Sequence, residues 1–273
     1  MENLMHYFAG FFDAEGWVSL TTDGNYRIGI EVSHRPILEA FKNKFGGHLY
    51  DRKVKTNKYI YHWVITNGDE IINFINLVGP FARVKQDRCK LLKDYISQSQ
   101  NKRRATRRDF SHQLAELKKP RETTKEELRI PQTFQPEEDF WKWMAGFMDG
   151  DGNFCIYVYQ QKNKGARTTY DSWISIFNTF PEPILYVQSR IKGSISSYKG
   201  TNFPIWKWVC SQSESEFVCN SLEPYLIVKK EQCRLVAQYL AIHKTKIRGV
   251  DHSFETICKI QKIIKQIKHQ NSL

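Results

Sequence analysis

The sequence predicts an α+β protein of two pseudo-symmetric α-β-β-α-β-β-α halves. Three observations predict it. The chain repeats itself in order. Each copy runs from an apolar helical stretch into strands with alternating polarity. A polar, basic segment of different composition separates the copies.

The repetition appears four times. HYFAGFFDAEGWVSL from His6 resembles KWMAGFMDGDGNFCI from Lys142, and RPILEAFKNKFGG from Arg35 resembles EPILYVQSRIKGS from Glu182. HWVITNGDEIINFI from His62 resembles KWVCSQSESEFVCN from Lys207, and GPFARVKQDRCKLL from Gly79 resembles EPYLIVKKEQCRLV from Glu223. The separations are 136, 147, 145 and 144 residues, so the matches are collinear and mark duplication of one unit.

Each unit opens with a helix, Leu4–Glu15 or Phe140–Asp151, with Asp139 as a plausible N-cap of the second. Gly16 and Gly152 stand where left-handed C-terminal glycines belong. Two strands follow: Trp17–Thr22 with Tyr26–Val32, and Asn153–Gln161 with Thr168–Asn178. Short helices are expected near Ile37–Phe45 and Ile184–Ile191. Second strand pairs come at His48–Lys55 with Lys58–Ile65, and at Ser194–Tyr198 with Ile205–Cys210. Helices near Glu70–Leu77 and Lys85–Ser97, and near Glu214–Leu222 and Lys229–His243, finish the units. Helices on one face of a four-stranded sheet leave the other face open.

The halves are thus 1–97 and 138–273, joined by a basic linker over 98–137. The linker holds KRRATRR (Lys102–Arg108) and one short helix near Phe110–Lys118. The arginine run either grips phosphate or is simply solvated. At the C-terminus, Ile257, Ile260, Ile264 and Ile267 recur at helical spacing, which predicts a packing helix with a basic outer face.

The 273 residues carry a formal charge of +12, and 14% are aromatic, so this is a folding chain that meets a polyanion, most often nucleic acid. Six cysteines without a C-x-x-C pair argue against a zinc ribbon and read as reduced, mostly buried thiols of an intracellular protein. The N-terminus lacks the basic region of a secretory signal. No apolar run is long enough to span a membrane. There is no H-E-x-x-H, no phosphate-binding P-loop and no nucleophile elbow.

Chemistry concentrates at the ends of the opening helices. Asp13-Ala14-Glu15 and Asp149-Gly150-Asp151 put carboxylates at the negative end of a helix dipole, an unfavourable place that asks for positive charge. Ala9-Gly10 and Ala145-Gly146, one to two turns earlier, allow the two helix backbones to approach closely. If they pack about a pseudo-twofold axis, Glu15 and Asp151 end side by side, and each raises the pKa of the other unless a cation intervenes. Oxygen ligands at a phosphodiester suggest Mg²⁺.

At these residues the chain resembles the LAGLIDADG homing endonucleases, through Phe8–Gly16 (FAGFFDAEG) and Met144–Gly152 (MAGFMDGDG). The resemblance implies two antiparallel sheets forming a saddle over DNA, with the motif helices at the interface between the halves, in a single chain with two motifs that acts as a monomer on long double-stranded DNA sites. It implies cleavage of both strands across the minor groove, leaving 3′ overhangs. It assigns metal binding to Glu15 and Asp151, with Ala14 and Gly150 beside them. Mg²⁺ is the expected cofactor, with Mn²⁺ substituting and Ca²⁺ binding without supporting cleavage. It picks Lys85 and Lys229, each five residues after a proline, as active-site lysines, and His34 as a water-positioning residue. The second half has no clear counterpart of His34, with Asn178 the nearest offer. Asp13 and Asp149 read as structural residues of the helix ends.

Strand alternation then selects residues for the major groove. They are Ser19, Thr21, Arg27 and Glu31 in the first half, and Tyr157, Tyr159, Gln161, Trp173 and Ser175 in the second. Lys53, Lys55, Lys58, Lys199 and Lys207 come from the other hairpins. Arg27 suits guanine and Gln161 adenine, whereas the lysines suit phosphate. The alternative is a binding protein on the same scaffold, either an intron-RNA maturase or a repressor-like DNA binder. The two carboxylates discriminate, because a binder need not keep both. Members of the resembled family are commonly encoded in introns of mitochondria, chloroplasts, archaea, bacteria or phages. The Lys-, Ile- and Asn-rich usage suits an AT-rich organellar genome.

Overall fold

The computed structural model describes residues 4–53, 59–98, 100–121, 137–161, 167–244 and 253–270. The first half opens with α1 (Met5–Glu15), which runs without a loop into β1 (Gly16–Leu20). Then come β2 (Tyr26–Val32), α2 (Arg35–Phe45), β3 (His48–Lys53), β4 (Tyr59–Ile65), α3 (Gly68–Val78) and α4 (Gln86–Ser97). A further helix, α5 (Gln100–Glu116), precedes the second half. That half repeats the order: α6 (Glu138–Asp151), β5 (Gly152–Gln161), β6 (Arg167–Asn178), α7 (Glu182–Gln188), β7 (Gly193–Lys199), β8 (Pro204–Cys210), α8 (Ser215–Leu222), α9 (Lys230–Lys244) and α10 (Phe254–Gln270).

Each half carries a four-stranded antiparallel sheet, ordered β1-β2-β4-β3 and β5-β6-β8-β7. Ile28, Ile30, Trp63 and Ile65 face the first core, where they meet Phe8, Phe12, Phe41, Phe45 and Phe74. Phe12 and Phe74 are 5.0 Å apart edge to face, as are Phe45 and Phe74, a favourable geometry for aromatic pairs. The second core is built around Phe154, Ile174, Ile176 and Trp208.

The halves join through α1 and α6. A Cβ on Gly10 would sit 1.9 Å from the Trp143 carbonyl oxygen, and one on Gly146 would sit 2.0 Å from that of Tyr7. Only glycine allows the two backbones this close. The sheets lean away on either side of this helix pair as the two flanks of a saddle.

Two details differ from the sequence expectations at the helix ends. Gly16 and Gly152 are extended, at φ −75° and −85°, not left-handed. Glycine is needed there for room, because a Cβ would lie 2.0 Å from the Phe12 ring or 2.5 Å from Met148 Cα. The N-cap of α6 is Glu137, and Asp139 sits inside the first turn, 3.5 Å from His6 of the other half.

The described part of the segment expected as a linker is largely helical. α5 is a longer helix than the expected turn or two near Phe110–Lys118, and it packs on α4 and β1. Leu114 is buried, and the Ser111 hydroxyl donates to the Leu20 carbonyl at 3.1 Å. α10 stands in the same relation to α9 and β5, through Ile260, Ile263, Ile264 and Ile267. The repeated unit therefore extends one helix further than the sequence matches show. Among the described residues, no helix is long and apolar enough to cross a membrane.

Candidate active site

The helix-end acids divide into two kinds. Asp13 is fully buried and accepts from the backbone N–H groups of Arg83 (2.5 Å), Val84 (3.0 Å) and Lys85 (3.0 Å), just ahead of α4. It also accepts from Trp143 Nε1 of the other half at 3.1 Å. Asp149 repeats the pattern with Ile227 (2.7 Å), Val228 (3.0 Å) and Lys229 (2.7 Å), and with the Tyr7 hydroxyl at 2.7 Å. Each aspartate thus satisfies the free N–H groups at a helix start and ties one half to the other. Both are structural, as their sequence positions suggested.

Among the described residues, Glu15 and Asp151 accept from no such run of backbone N–H groups, and they stand at the neighbouring ends of the two packed helices. A Cβ on Gly150 would lie 2.4 Å from the Ala14 methyl and 2.9 Å from Glu15 Cγ, so the Glu15 side chain lies directly against the backbone that precedes Asp151. Burial, and then the Asp151 charge, push the Glu15 carboxyl up to about 6. Burial also raises Asp151, against the pull of Lys85, Asn178 and Lys229.

The two lysines supply the positive charge that the helix ends require. Lys85 is buried, and its ammonium donates to the Asp13 carbonyl. Lys229 donates to the carbonyls of Met148 (2.9 Å), Gly150 (2.5 Å) and Gly152 (2.8 Å). Each ammonium therefore caps the C-terminus of the motif helix in its own half. Burial lowers Lys85 to about 8, and lowers Lys229 too. Ala14 and Gly150, which the sequence reading placed with the metal residues, lie at these helix ends, and the Gly150 carbonyl accepts from Lys229.

Asn178 closes the second half of the site. Its amide donates to Asp151 Oδ2 at 2.9 Å, while its carbonyl oxygen accepts from Phe180 N–H at 2.9 Å. His34 lies immediately before α2, and its Nδ1 is buried without a hydrogen-bond partner among the described residues. Burial lowers its pKa, partly offset by the Asp149 charge. The sheet register explains why His34 and Asn178 are not equivalents. Ile30 pairs with Gly16 as Ile176 pairs with Gly152, so Asn178 corresponds to Val32, and Phe180 to His34.

A family model described as "LAGLIDADG endonuclease" matches residues 144–238, and one described as "LAGLIDADG-like domain" matches residues 2–79. The chain belongs to the LAGLIDADG family. It is a single-chain member with a motif in each half. Solved LAGLIDADG structures share its fold over nearly the whole length. I-LtrWI, a LAGLIDADG homing endonuclease bound to target DNA, superposes with a TM-score of 0.70 at 17% identity, over 97% of each chain. The meganuclease I-AabMI bound to uncleaved DNA gives 0.68 at 16%, over 96% of this chain and 98% of that one. I-SmaMI bound to cleaved DNA gives 0.68 at 16%, over 97% of each.

In this LAGLIDADG chain the open sheet faces carry seven of the eleven selected residues whose side chains are described. Ser19, Arg27 and Glu31 are on the first, and Tyr157, Tyr159 and Trp173 are on the second with Lys207. The Lys207 ammonium lies 4.0 Å from the Trp173 ring centroid and 5.3 Å from that of Phe177. Four selections change. Ser175 faces the same way but is fully buried. Thr21 lies in the hairpin turn, its hydroxyl accepting from Asn25 N–H at 3.1 Å. Lys53 pairs with Tyr59, and Lys199 with Pro204, which puts both in the inward register of Leu49 and Ile195. They are exposed because the strands outrun the core. Lys55 and Lys58 lie outside the described residues, as does the side chain of Gln161.

The outward residues of β3 and β4 include Tyr50, Arg52 and His62, which the sequence reading passed over. Glu31 accepts from Arg52 at 3.5 Å and stands 3.3 Å from His62, so these three act as one polar group. Trp17 was also missed. It lies flat over Gly29, where a Cβ would come within 2.4 Å of its ring. A glycine directly opposite a tryptophan on neighbouring strands was the available signal.

Proposed function

We propose that the chain is a site-specific endonuclease acting on long double-stranded DNA, with Glu15 and Asp151 holding a divalent cation. One observation carries the reading: the Glu15 side chain of one half lies against Gly150, next to Asp151 of the other, in a place where burial disfavours both charges. Among the described residues no group of three or more His, Cys, Asp and Glu side chains converges. The donor set therefore suits a hard cation that uses few carboxylates and keeps water and substrate phosphate in its shell, which favours Mg²⁺, with Mn²⁺ as a substitute and Ca²⁺ as a non-catalytic occupant.

Such a cation would lower the pKa of a water nucleophile and offset the charge of the reacting phosphate. The chain's own groups do the rest. Glu15 and Asp151 fix the line between the halves along which both scissile phosphates must lie. Lys85 and Lys229, committed to carbonyls, keep positive charge behind that line and favour the ionised carboxylates. Asn178 orients Asp151. Arg27, Arg52, Tyr157, Tyr159 and Lys207, on the open faces, are the side chains that would meet the grooves on either side. Cleavage across the minor groove with 3′ overhangs, by a monomer encoded within an intron, follows from the family reading.

Selection of cut sites from a randomised duplex library with Mg²⁺ tests the proposal. A single long, asymmetric site is the expected product. Recovery of bound but uncut sites would instead make the chain a binder on this scaffold.

A further inference from the structure

Sheet register matches the open faces of the two halves residue by residue. Gly29, between Trp17 and Val64, corresponds to Ser175, between Asn153 and Val209. Arg27 then corresponds to Trp173, Glu31 to Phe177 and Arg52 to Tyr198. Charged positions of the first face are thus aromatic on the second. The reverse exchange occurs at Trp17, which matches Asn153, and at Tyr50, which matches Ser196.

The rings of the second face form one surface. Tyr157 meets Trp173 edge to face with centroids 4.9 Å apart, and stands 6.2 Å from Tyr159. Lys207 pairs with Phe177, yet its ammonium lies over Trp173, so its side chain crosses the row of Ser175 and Val209. That crossing accounts for Ser175, which is outward in register but fully buried, its hydroxyl without a hydrogen-bond partner among the described residues. The methylene stem of Lys207 covers that hydroxyl, so the surface between the rings is apolar as well.

The first face offers donors and acceptors, with Glu31, Arg52 and His62 held as one group. The second offers rings, and Tyr157, Tyr159 and Tyr198 are exposed. A polar base edge pressed against a ring loses its water without gaining a partner. In the major groove the apolar group is the C5 methyl of thymine.

We propose that the second open face reads its half-site through the C5 methyl groups of thymine, with Tyr157, Trp173 and Phe177 as specificity-determining residues. This names the base chemistry of one half-site and rests on the double-stranded DNA reading above. The first face reads the other half-site by hydrogen bonds, which do not involve the methyl.

The test uses the full chain and the site it selects, whether cut or only bound. That site is remade with deoxyuridine for thymidine in one half at a time, which keeps each base pair and removes only the methyl. Binding is measured in Ca²⁺ for wild type, Tyr157→Ser and Trp173→Arg, the last installing the residue of the first face. Deoxyuridine in one half should weaken wild-type binding by about 4-fold for each methyl contacted, the value of one such group removed from water. The same change in the other half should leave binding unchanged. Tyr157→Ser should keep the wild-type melting temperature, because the ring is exposed, and should lose the penalty at the thymines the ring covers. Trp173→Arg should lose it likewise. Deoxyuridine without effect in either half, equal effects in both, or a full penalty retained in Tyr157→Ser overturns the inference and leaves the endonuclease reading intact. If Trp173→Arg fails to fold, Tyr157→Ser decides alone. A chain that shows the expected pattern in binding but cuts neither strand overturns the endonuclease reading alone. A library from which no site is cut or bound overturns both.

Discussion

A carboxylate placed where burial and a second carboxylate both oppose its charge is uncomfortable until a cation arrives, and Glu15 is in that position. Its folded pKa of about 6 lies above the ordinary 4.5. The native state therefore holds the proton more tightly than the unfolded chain does. Stability falls as pH rises from about 4.5 to about 6, and stays lower above that range. Neutral Glu15→Gln removes this cost. In metal-free buffer at neutral pH the variant should be more stable than wild type, by about 2 kcal/mol on the scale of pKa shifts, as read by thermal melting. An unchanged or lowered melting temperature would show that Glu15 is already neutralised within the protein. Cleavage needs the ionised form, so activity should drop below about pH 6, and raising the metal concentration should move that limb to lower pH. Asp13 behaves differently. Asp13→Asn keeps the shape but loses the charge facing three N–H groups, and should cost about 0.5–2 kcal/mol of stability, the range for a helix N-cap.

Among the elements, α1 and α6 were the most legible in sequence, because Ala-Gly pairs, a terminal glycine and paired acids all coincide there. The structure gives the glycines a steric reason in place of a conformational one. Adding a methyl at Gly10 or Gly146 drives it into a carbonyl oxygen of the facing helix. Gly10→Ala should therefore destabilise the chain by about 1–3 kcal/mol, as overpacking does, and should separate the two acids, so that cleavage falls further than stability alone accounts for. Denaturant titration together with cleavage rates checks both parts. The strands were legible wherever core residues alternate, as at Val18, Ile28 and Ile30. Alternation failed at Lys53 and Lys199, where the strand continues past the core and no buried neighbour marks the inward side. It also failed at Ser175, which faces outward by register and is buried all the same. α5 was read too short because Phe110 and Leu114 are the few apolar anchors in a run of basic and polar residues. The sequence left His34 without a clear counterpart, and the pairing of Gly152 with Ile176 puts Asn178 opposite Val32 in register and Phe180 opposite His34.

At the scale of the whole molecule, a charge of +12 on a saddle with two open faces predicts binding dominated by phosphate contacts. Affinity should then fall steeply with salt, by about 10³- to 10⁵-fold between 50 and 200 mM if 6 to 10 phosphates are neutralised. A flat salt response in a binding titration would remove the saddle from the account. Duplication explains why one site needs both halves, since each contributes one acid, one lysine cap and one structural aspartate. Divergence after duplication explains the differences at Val32 and Asn178, and the tyrosines concentrated on the second face. The most direct measurement compares Glu15→Gln and Asp151→Asn on the selected target, with cleavage followed in Mg²⁺ and binding in Ca²⁺. Loss of cleavage in each single variant with binding preserved is the expected result. Wild-type cleavage rates in either variant would contradict a shared site at the ends of the two helices.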